Sequence, residues 1–244
     1  MTFESKYRAI LFDVDGTLVD SNDARARAWT DAFAEAGIEV DLDKVRRSIG
    51  MREGKLMPAV STIKASSPKG KKIAKRHSEI FTSTYLPTIE PFLDAGRLIT
   101  DLRELGFTPV VASSASKNEL DALLAIAGAQ SLAFAAASGD GAKESKPDPD
   151  IIKSALRRAN ASPEEAVLVG DTPYDVEAAR RAGVATIAFR CGGWKDEALI
   201  NAGAIGIYDG PWDLLAKLIV SPIGSGTHMT VPESISDSEG PGGR

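Results

Sequence analysis

Short apolar runs, each followed by polar residues, alternate with helical patterns over most of this chain. The clearest runs cover residues 8–12, 108–112, 166–169 and 185–189, and weaker ones occur at 132–135 and 204–208. Their length and flanks are typical of strands that are buried on both faces. Because the segments between them are long enough for helices, consecutive strands are expected to run parallel. We therefore predict an α/β fold, with a doubly wound parallel sheet.

The alternation stops between residues 21 and 90, where the sequence reads as almost wholly helical. One apolar stripe in this stretch consists of Ala28, Trp29, Ala32, Phe33 and Ala36. The stretch is too long for a loop, so we predict a helical cap domain (21–90) inserted into a core domain (1–20 and 91–220). A basic run over residues 64–76 is expected to be a solvated helix face, with attraction of an anionic substrate as the alternative. Residues 221–244 are rich in Ser, Gly and Pro and predict a disordered tail.

Charge and rare residues exclude several classes of protein. The 244 residues carry a net charge of −5, which argues against bulk nucleic acid as the main ligand. A single cysteine cannot form an internal disulfide, and two histidines are too few for a multi-histidine metal site. No apolar run approaches the roughly 20 residues of a membrane span, and the amino terminus lacks a signal-peptide pattern. A soluble cytoplasmic monomer or homodimer without a nucleic-acid or membrane partner is expected.

Carboxylates follow two of the predicted strands at the point where each strand ends. Asp13 and Asp15 come directly after residues 8–12, and side chains two apart on an extended backbone point the same way. Asp171 and Asp175 follow residues 166–169. Open α/β sheets bind ligands at the carboxyl edge of their strands, so these groups are expected to meet there. Taken singly, the Asp13-Asp15 cluster has a turn or helix cap as its alternative, and Asp175 has a carboxylate on a helix face.

Ser114 and Lys146 complete a set of polar residues predicted at the same edge. Gathered carboxylates repel one another, and a divalent cation relieves that repulsion; oxygen ligands without imidazole favour Mg²⁺. The cation, the Lys146 ammonium and the Ser114 hydroxyl would together bind an oxyanion such as phosphate. An aspartate beside a bound phosphoryl group can attack it in line, while a second carboxyl exchanges protons. This arrangement indicates phosphoryl-transfer chemistry.

These residues, taken in order, resemble the four motifs of the haloacid dehalogenase (HAD) superfamily. The motifs are Asp13-x-Asp15-Gly-Thr, Ser114, Lys146-Pro, and Gly170-Asp171-x-x-x-Asp175. The resemblance covers about residues 8–218. Segments 21–25, 114–118 and 186–193 are similar to phosphoglycolate phosphatase and β-phosphoglucomutase members. Such members have a Rossmann-like core and a helical cap inserted after the first motif.

The resemblance implies a role for each motif residue. Asp13 would be the nucleophile that becomes aspartyl-phosphate, and it would also bind Mg²⁺. Asp15 would be the acid/base, with its backbone carbonyl on the metal. Ser114 would hold a phosphoryl oxygen, and Lys146 would neutralise charge on the nucleophile and the phosphate. Asp171 would be a metal ligand, and Asp175 would support the metal or Lys146. Ala115, Asn118, Arg52 and Lys55 are expected to contact the substrate.

The function implied is a Mg²⁺-dependent phosphatase acting on a small phosphorylated metabolite, such as phosphoglycolate or a sugar phosphate. Asp15 favours phosphate esters, because an alkoxide leaving group benefits from a proton. The alternative is a sugar-phosphate mutase, but Arg25 stands where many capped relatives, including mutases, carry a histidine. A phosphoacceptor switch or an inactive binding module is less favoured, because a second acid would destroy the acyl phosphate.

Overall fold

Five parallel strands form one sheet, in the order β2-β1-β3-β4-β5. The computed structural model describes residues 5–113, 115–135 and 146–224. The strands are β1 (Ala9–Phe12), β2 (Thr108–Val111), β3 (Ala166–Gly170), β4 (Ala185–Phe189) and β5 (Gly206–Tyr208). β1 pairs with β2 on one side and with β3 on the other. The residues that follow β1 therefore lie between the ends of two neighbouring strands.

Helices cover both faces of this sheet, which explains why its strands are continuously apolar. The core helices are α5 (Ala95–Glu104), α6 (Lys117–Ile126), α7 (Asp150–Ala159), α8 (Pro173–Arg181), α9 (Asp196–Ala202) and α10 (Pro211–Ala216). Ala9 and Leu11 of β1 belong to the apolar cluster that contains α7 and α8 residues. Ile10 and Phe12 belong to a second cluster with residues of α5 and α10.

The helical cap lies between β1 and α5. Its helices are α1 (Asn22–Glu35), α2 (Leu42–Arg46), α3 (Glu53–Val60) and α4 (Pro68–Ile80), followed by a π-helical segment (Phe81–Tyr85) and a 3₁₀ turn (Leu86–Thr88). The predicted stripe on α1 is buried except for Ala36, which is half-buried. The chain segments that enter and leave the cap pair side by side: Asp20 N–H donates to the Glu90 carbonyl (2.9 Å), and Phe92 N–H donates to the Leu18 carbonyl (3.0 Å).

The predicted fold class, a doubly wound parallel sheet with an inserted helical cap, is confirmed, but two local predictions are wrong. The expected strand at 132–135 belongs to a 3₁₀ helix, Gln130–Ala135. Its Leu-Ala-Phe-Ala run lacks β-branched residues, and a short apolar run by itself does not distinguish a strand from a helix.

The predicted tail (221–244) is wrong at its first four residues. Ser221 and Ile223 are buried, and the Ser5 hydroxyl donates to the Ile223 carbonyl (2.6 Å), so residues 221–224 pack against the core. Residues 225–244 lie outside the described part of the chain. No helix among the residues that the structure describes has the length and apolar character needed to cross a membrane.

Candidate active site

Asp13, Lys146 and Asp175 form a buried ionic cluster at the carboxyl edge of the sheet. The Lys146 ammonium donates to Asp13 Oδ1, and its Nζ lies 2.7 Å from Asp175 Oδ1. β1 positions Asp13, whose N–H donates to the Val169 carbonyl of β3 at 2.9 Å. All three side chains are at least nine-tenths buried. The lysine predicted near the carboxylates therefore does lie between two of them.

Asp171 completes the cluster from the end of β3, and three elements fix its carboxylate. Thr17 Oγ1 donates to Oδ1 (3.1 Å), and Asn22 Nδ2 donates to Oδ2 (2.8 Å). Gly192, which follows β4, packs so closely that a Cβ there would stand 1.9 Å from Oδ2. Residues from the β1 loop, the cap helix α1 and the β4 loop thus hold one carboxylate in place.

Thr172 caps helix α8 and orients Asp175. Its N–H (3.0 Å) and hydroxyl (2.6 Å) donate to Asp175 Oδ2, while Asp175 N–H donates back to the hydroxyl (3.1 Å). This reciprocal arrangement is a capping box, in which the side chain three residues after the capping Thr accepts a hydrogen bond from the backbone of that Thr. Because Oδ2 takes part in the cap, Asp175 Oδ1 is the oxygen that contacts Lys146.

The electrostatics of the cluster leave negative charge in excess. Burial raises the pKa of Asp13 to about 7 against the lowering effect of Lys146, and Asp175 and Asp15 add repulsion. Burial, followed by Asp175 and Asp13, raises the pKa of Asp171 well above its usual value. Burial disfavours the charged amine of Lys146, but the two carboxylates outweigh it and raise its pKa. One ammonium therefore does not balance three carboxylates.

The donor set fits a hard divalent cation. Asp13, Asp171 and Asp175 each offer an oxygen, and these oxygens lie within 4.8 Å of one another. Oxygen donors of this kind suit Mg²⁺ or Ca²⁺ rather than a soft metal. A cation would stabilise the ionised forms of Asp13 and Asp171, whose raised pKa values show how strongly the cluster resists their ionisation.

The Asp15 carboxylate lies apart from this cluster. Its Oδ1 accepts hydrogen bonds from Arg25 Nε (2.6 Å) and from the Ser21 hydroxyl (2.5 Å). Asp15 was predicted as a metal residue through its backbone carbonyl, and that role stays a prediction. Its side chain is not part of the group formed by Asp13, Asp171 and Asp175, here called the metal-type cluster. It faces the cavity described next.

A cavity of about 240 Å³ lies between the cap and the core. The described residues that line it include Asp13, Asp15, Arg25, Trp29, Met51, Arg52, His77, Ser78, Ala115, Glu119 and Lys146. The predicted nucleophile and acid/base therefore open into one space. The cap supplies most of the opposite wall, where the His77 ring stacks on Trp29 at 4.0 Å.

The predicted substrate contacts divide into three groups. Ala115 and Arg52 line the cavity. Asn118 is exposed on α6, and Lys55 pairs with Asp148; neither lines the cavity. Ser114 lies outside the described residues.

Several residues of the site were not predicted from the sequence as site residues. Thr17 and Asn22 bind Asp171, and Glu119 lies in the cavity wall beside the predicted Asn118. The helical spacing of the apolar residues could have indicated Glu119, because α6 buries it on the same face as Leu120, Leu123 and Leu124. A charged residue on the buried face of a helix indicates a partner or a function.

Comparison with known proteins identifies the family. Residues 10–189 match the model of the haloacid dehalogenase-like hydrolases. The chain belongs to this family. The expectations of a HAD fold and of an enzyme of the phosphatase type are thereby confirmed, since relatives of this hydrolase include named phosphatases.

Two relatives and one solved structure show the extent of the similarity. The hydrolase is 34% identical to Protein SUPPRESSOR OF QUENCHING 1, chloroplastic, of Arabidopsis thaliana over 76% of this chain, but spans only 18% of that protein's length. It is 31% identical to a phosphoglycolate phosphatase of Aquifex aeolicus, over 73% of this chain and 83% of that protein. A hydrolase from Pseudomonas syringae matches in structure with a TM-score of 0.80 and 26% identity, over 86% of this chain and 97% of the other.

The contact between Gly192 and Asp171 can be tested by adding one methyl group. In Gly192→Ala the new Cβ would collide with Asp171 Oδ2 and Cβ, at 1.9 and 2.4 Å. We expect the carboxylate to be displaced, at a cost of about 1–3 kcal/mol in the free energy of unfolding. The affinity of the cluster for a divalent cation, measured by titration calorimetry with Mg²⁺ as the probe, is expected to fall about tenfold or more.

Gly54→Ala is the matched control, because nothing lies within 4 Å of its added Cβ. Gly54 is in helix α3, where alanine is expected to stabilise the fold by about 0.5–1 kcal/mol. If both alanine variants bound Mg²⁺ like the unmodified protein, Asp171 would not be constrained by Gly192.

Proposed function

We propose that this HAD-like hydrolase is a Mg²⁺-dependent phosphatase that hydrolyses a small phosphorylated metabolite through an aspartyl-phosphate on Asp13. The observation that carries the proposal is the position of two carboxylates with different surroundings in one cavity. Asp13 belongs to the metal-type cluster and is bound to Lys146, whereas Asp15 stands apart with Arg25. A nucleophile and a separate proton donor are the two groups that this reaction needs.

Asp13, Asp171 and Asp175 would hold the cation. When bound, Mg²⁺ supplies positive charge that reduces the repulsion between the Asp13 carboxylate and a phosphate dianion. Lys146 adds a fixed positive charge on the same side, and its raised pKa keeps it protonated at neutral pH. The Ser114 hydroxyl is proposed to hold a phosphoryl oxygen, as the family motif implies.

In the first step, an Asp13 oxygen forms a bond to phosphorus while the bond from phosphorus to the leaving oxygen breaks. Asp15 donates its proton to that leaving oxygen, so the alcohol departs neutral. In the second step, Asp15 takes a proton from water, and the resulting hydroxide oxygen bonds to phosphorus. The bond to Asp13 breaks, inorganic phosphate leaves and both carboxyl groups return to their starting states.

The cap is proposed to select the leaving group and to exclude bulk water. Trp29, Met51 and His77 give the wall opposite Asp13 a largely apolar surface, and Arg52 adds a cation. Burial, followed by the charge of Arg25, lowers the pKa of His77 well below its usual value, so this ring is neutral. A cavity of this size suits a metabolite rather than a phosphoprotein.

A panel of phosphorylated metabolites, assayed for phosphate release with and without Mg²⁺, tests the proposal. We expect release from at least one small monoester, with phosphoglycolate and sugar phosphates as the first candidates. Removal of metal by EDTA is expected to lower the rate by about 10³-fold or more, and added Mg²⁺ is expected to restore it. Release that persists undiminished in EDTA would contradict the metal requirement.

A hexose 1-phosphate in the same panel separates the mutase alternative. A phosphatase releases inorganic phosphate, whereas a mutase returns an isomerised sugar phosphate. Arg25 favours hydrolysis, because its guanidinium carries a permanent charge beside Asp15 where many capped relatives have a titratable histidine.

A further inference from the structure

Glu119 is a buried carboxylate that connects the core to the cap. It lies on core helix α6 and is 9% exposed. Its Oε1 accepts a hydrogen bond from the Ser78 hydroxyl of α4 (2.5 Å), and its Oε2 lies 3.4 Å from Arg25 Nη1 of α1. Burying a carboxylate is unfavourable unless it is paired, and the contact with Arg25 supplies that pair across the boundary between core and cap.

Arg25 continues this connection to the proposed acid/base. Its Nε donates to Asp15 Oδ1 at 2.6 Å, and its guanidinium carbon lies 4.0 Å from the centre of the Phe81 ring. Burial opposes the charge of Arg25, but Asp15 and Glu119 outweigh it and raise its pKa. The guanidinium is therefore fixed by a carboxylate at each end and by an aromatic face.

Both hydrogen bonds described for the Asp15 carboxylate end on the same oxygen. Arg25 Nε and the Ser21 hydroxyl both donate to Oδ1, which sets the rotation of the carboxyl group. The other oxygen, Oδ2, is the one left to exchange a proton with the leaving group or with water. Proton transfer needs an approach of roughly 3 Å with correct alignment, so this rotation matters to the rate.

We propose that Glu119 and Arg25 are positioning residues that hold Asp15 in the orientation for proton transfer. Glu119 acts only through Arg25, and Arg25 acts through Asp15. The inference rests on the proposed phosphatase function, because it concerns the proton donor of that reaction. It makes a residue of core helix α6 part of the acid/base machinery, although that residue touches no reacting atom.

The test compares Glu119→Ala with the unmodified protein on two substrates. One is an alkyl monophosphate chosen from the panel, whose leaving alcohol needs a proton, and the other is p-nitrophenyl phosphate, whose leaving group does not. We expect kcat for the alkyl ester to fall about tenfold or more, with KM changed less than about twofold. With p-nitrophenyl phosphate we expect the rate of the first-turnover burst of p-nitrophenol to change less than about threefold, because that step needs no proton. Steady-state turnover of this ester is expected to fall, because Asp15 also activates water in the second step.

A double variant separates positioning from a general loss of structure. In Asp15→Asn/Glu119→Ala the second change should add less than about twofold to the loss caused by Asp15→Asn alone, because Glu119 acts through Asp15. Glu119→Gln keeps the side-chain length and the acceptor for Ser78, and is expected to lose about threefold on the alkyl ester. This variant carries the test if Glu119→Ala fails to fold.

Three outcomes would overturn the inference while the unmodified protein is active. They are unchanged activity of both Glu119 variants, equal losses in the first-turnover release of the two leaving groups, and a rise in KM that accounts for the loss, which would place Glu119 in direct contact with substrate. An unmodified protein that releases no phosphate from any ester would instead overturn the proposed function, and the inference with it.

Discussion

Replacing Asp13 by asparagine is expected to abolish phosphate release, by about 10⁴-fold or more. The amide cannot form the bond to phosphorus, and no other carboxylate of the cluster has the same access to the cavity: of Asp13, Asp171 and Asp175, only Asp13 lines it. The measurement is kcat with p-nitrophenyl phosphate and with the best substrate of the panel. Both substrates should lose activity alike, because each needs the same nucleophile.

The fold of Asp13→Asn is expected to persist. The amide has the size of the carboxylate, and Lys146 keeps Asp175 as a partner. Because burial and repulsion already raise the pKa of Asp13 to about 7, removing its charge relieves strain in the metal-free cluster. The metal-free melting temperature should therefore match or exceed that of the unmodified protein. Substantial activity in a folded variant would remove Asp13 from the role of nucleophile.

Asp15→Asn is expected to produce the second largest loss, and one that depends on the leaving group. General acid catalysis contributes about 10²–10⁴-fold, so an alkyl ester should lose that much. The loss in aspartyl-phosphate formation should be much smaller with p-nitrophenyl phosphate, whose leaving group departs without a proton. Hydrolysis of the aspartyl-phosphate still needs a base, so a burst of p-nitrophenol followed by slow turnover is expected.

Asp101→Asn is the matched control for both substitutions. Asp101 lies on α5 outside the cavity, and its only described ion pair is a 3.6 Å contact with Arg97. An exposed pair of this kind contributes at most about 1 kcal/mol, so activity should be unchanged. If Asp15→Asn slowed the first-turnover release of p-nitrophenol and of an alkyl alcohol by the same factor, Asp15 would not be the general acid.

The choice between a phosphatase and a mutase depends on the residues around Asp15 more than on the metal-type cluster. A mutase must keep its aspartyl-phosphate while the sugar turns over in the site, so water activation has to be delayed. Here Asp15 is held by Arg25, Ser21 and, indirectly, Glu119. A proposed base that is oriented by hydrogen bonds within the protein suits hydrolysis, in agreement with the proposed function.

The sheet and the carboxylates at its edge were predictable because their signals are local. An apolar run of four or five residues, a following Asp-x-Asp, and helical spacing between runs are set by backbone geometry over a few residues. Once the strands were known to be parallel, the meeting of Asp13 and Asp171 followed from the rule that ligands bind at the carboxyl edge. The error at 132–135 arose where the local signal was short.

The cap contacts were less predictable because they depend on how helices rotate and pack. Asn118 and Glu119 are adjacent in sequence, yet α6 exposes the first and buries the second in the cavity wall. Lys55 was expected at the substrate, but the packing of α3 places it beside Asp148. A shift of one residue turns a helix by about 100°, which spacing in the sequence does not resolve.

The amino-acid sequence by itself determined the parallel sheet, the helical insertion and the residues that carry charge at the strand ends, because each follows from patterns within one segment. Only the tertiary structure decided which groups meet: Lys146 between Asp13 and Asp175, Gly192 against Asp171, and Arg25 between Asp15 and Glu119. These contacts join residues that are up to 133 positions apart, as Asp13 and Lys146 are. Their geometry depends on packing over many segments of the chain, so the separation of Asp13 from Asp15, the proposed nucleophile and proton donor, became visible only in the folded molecule.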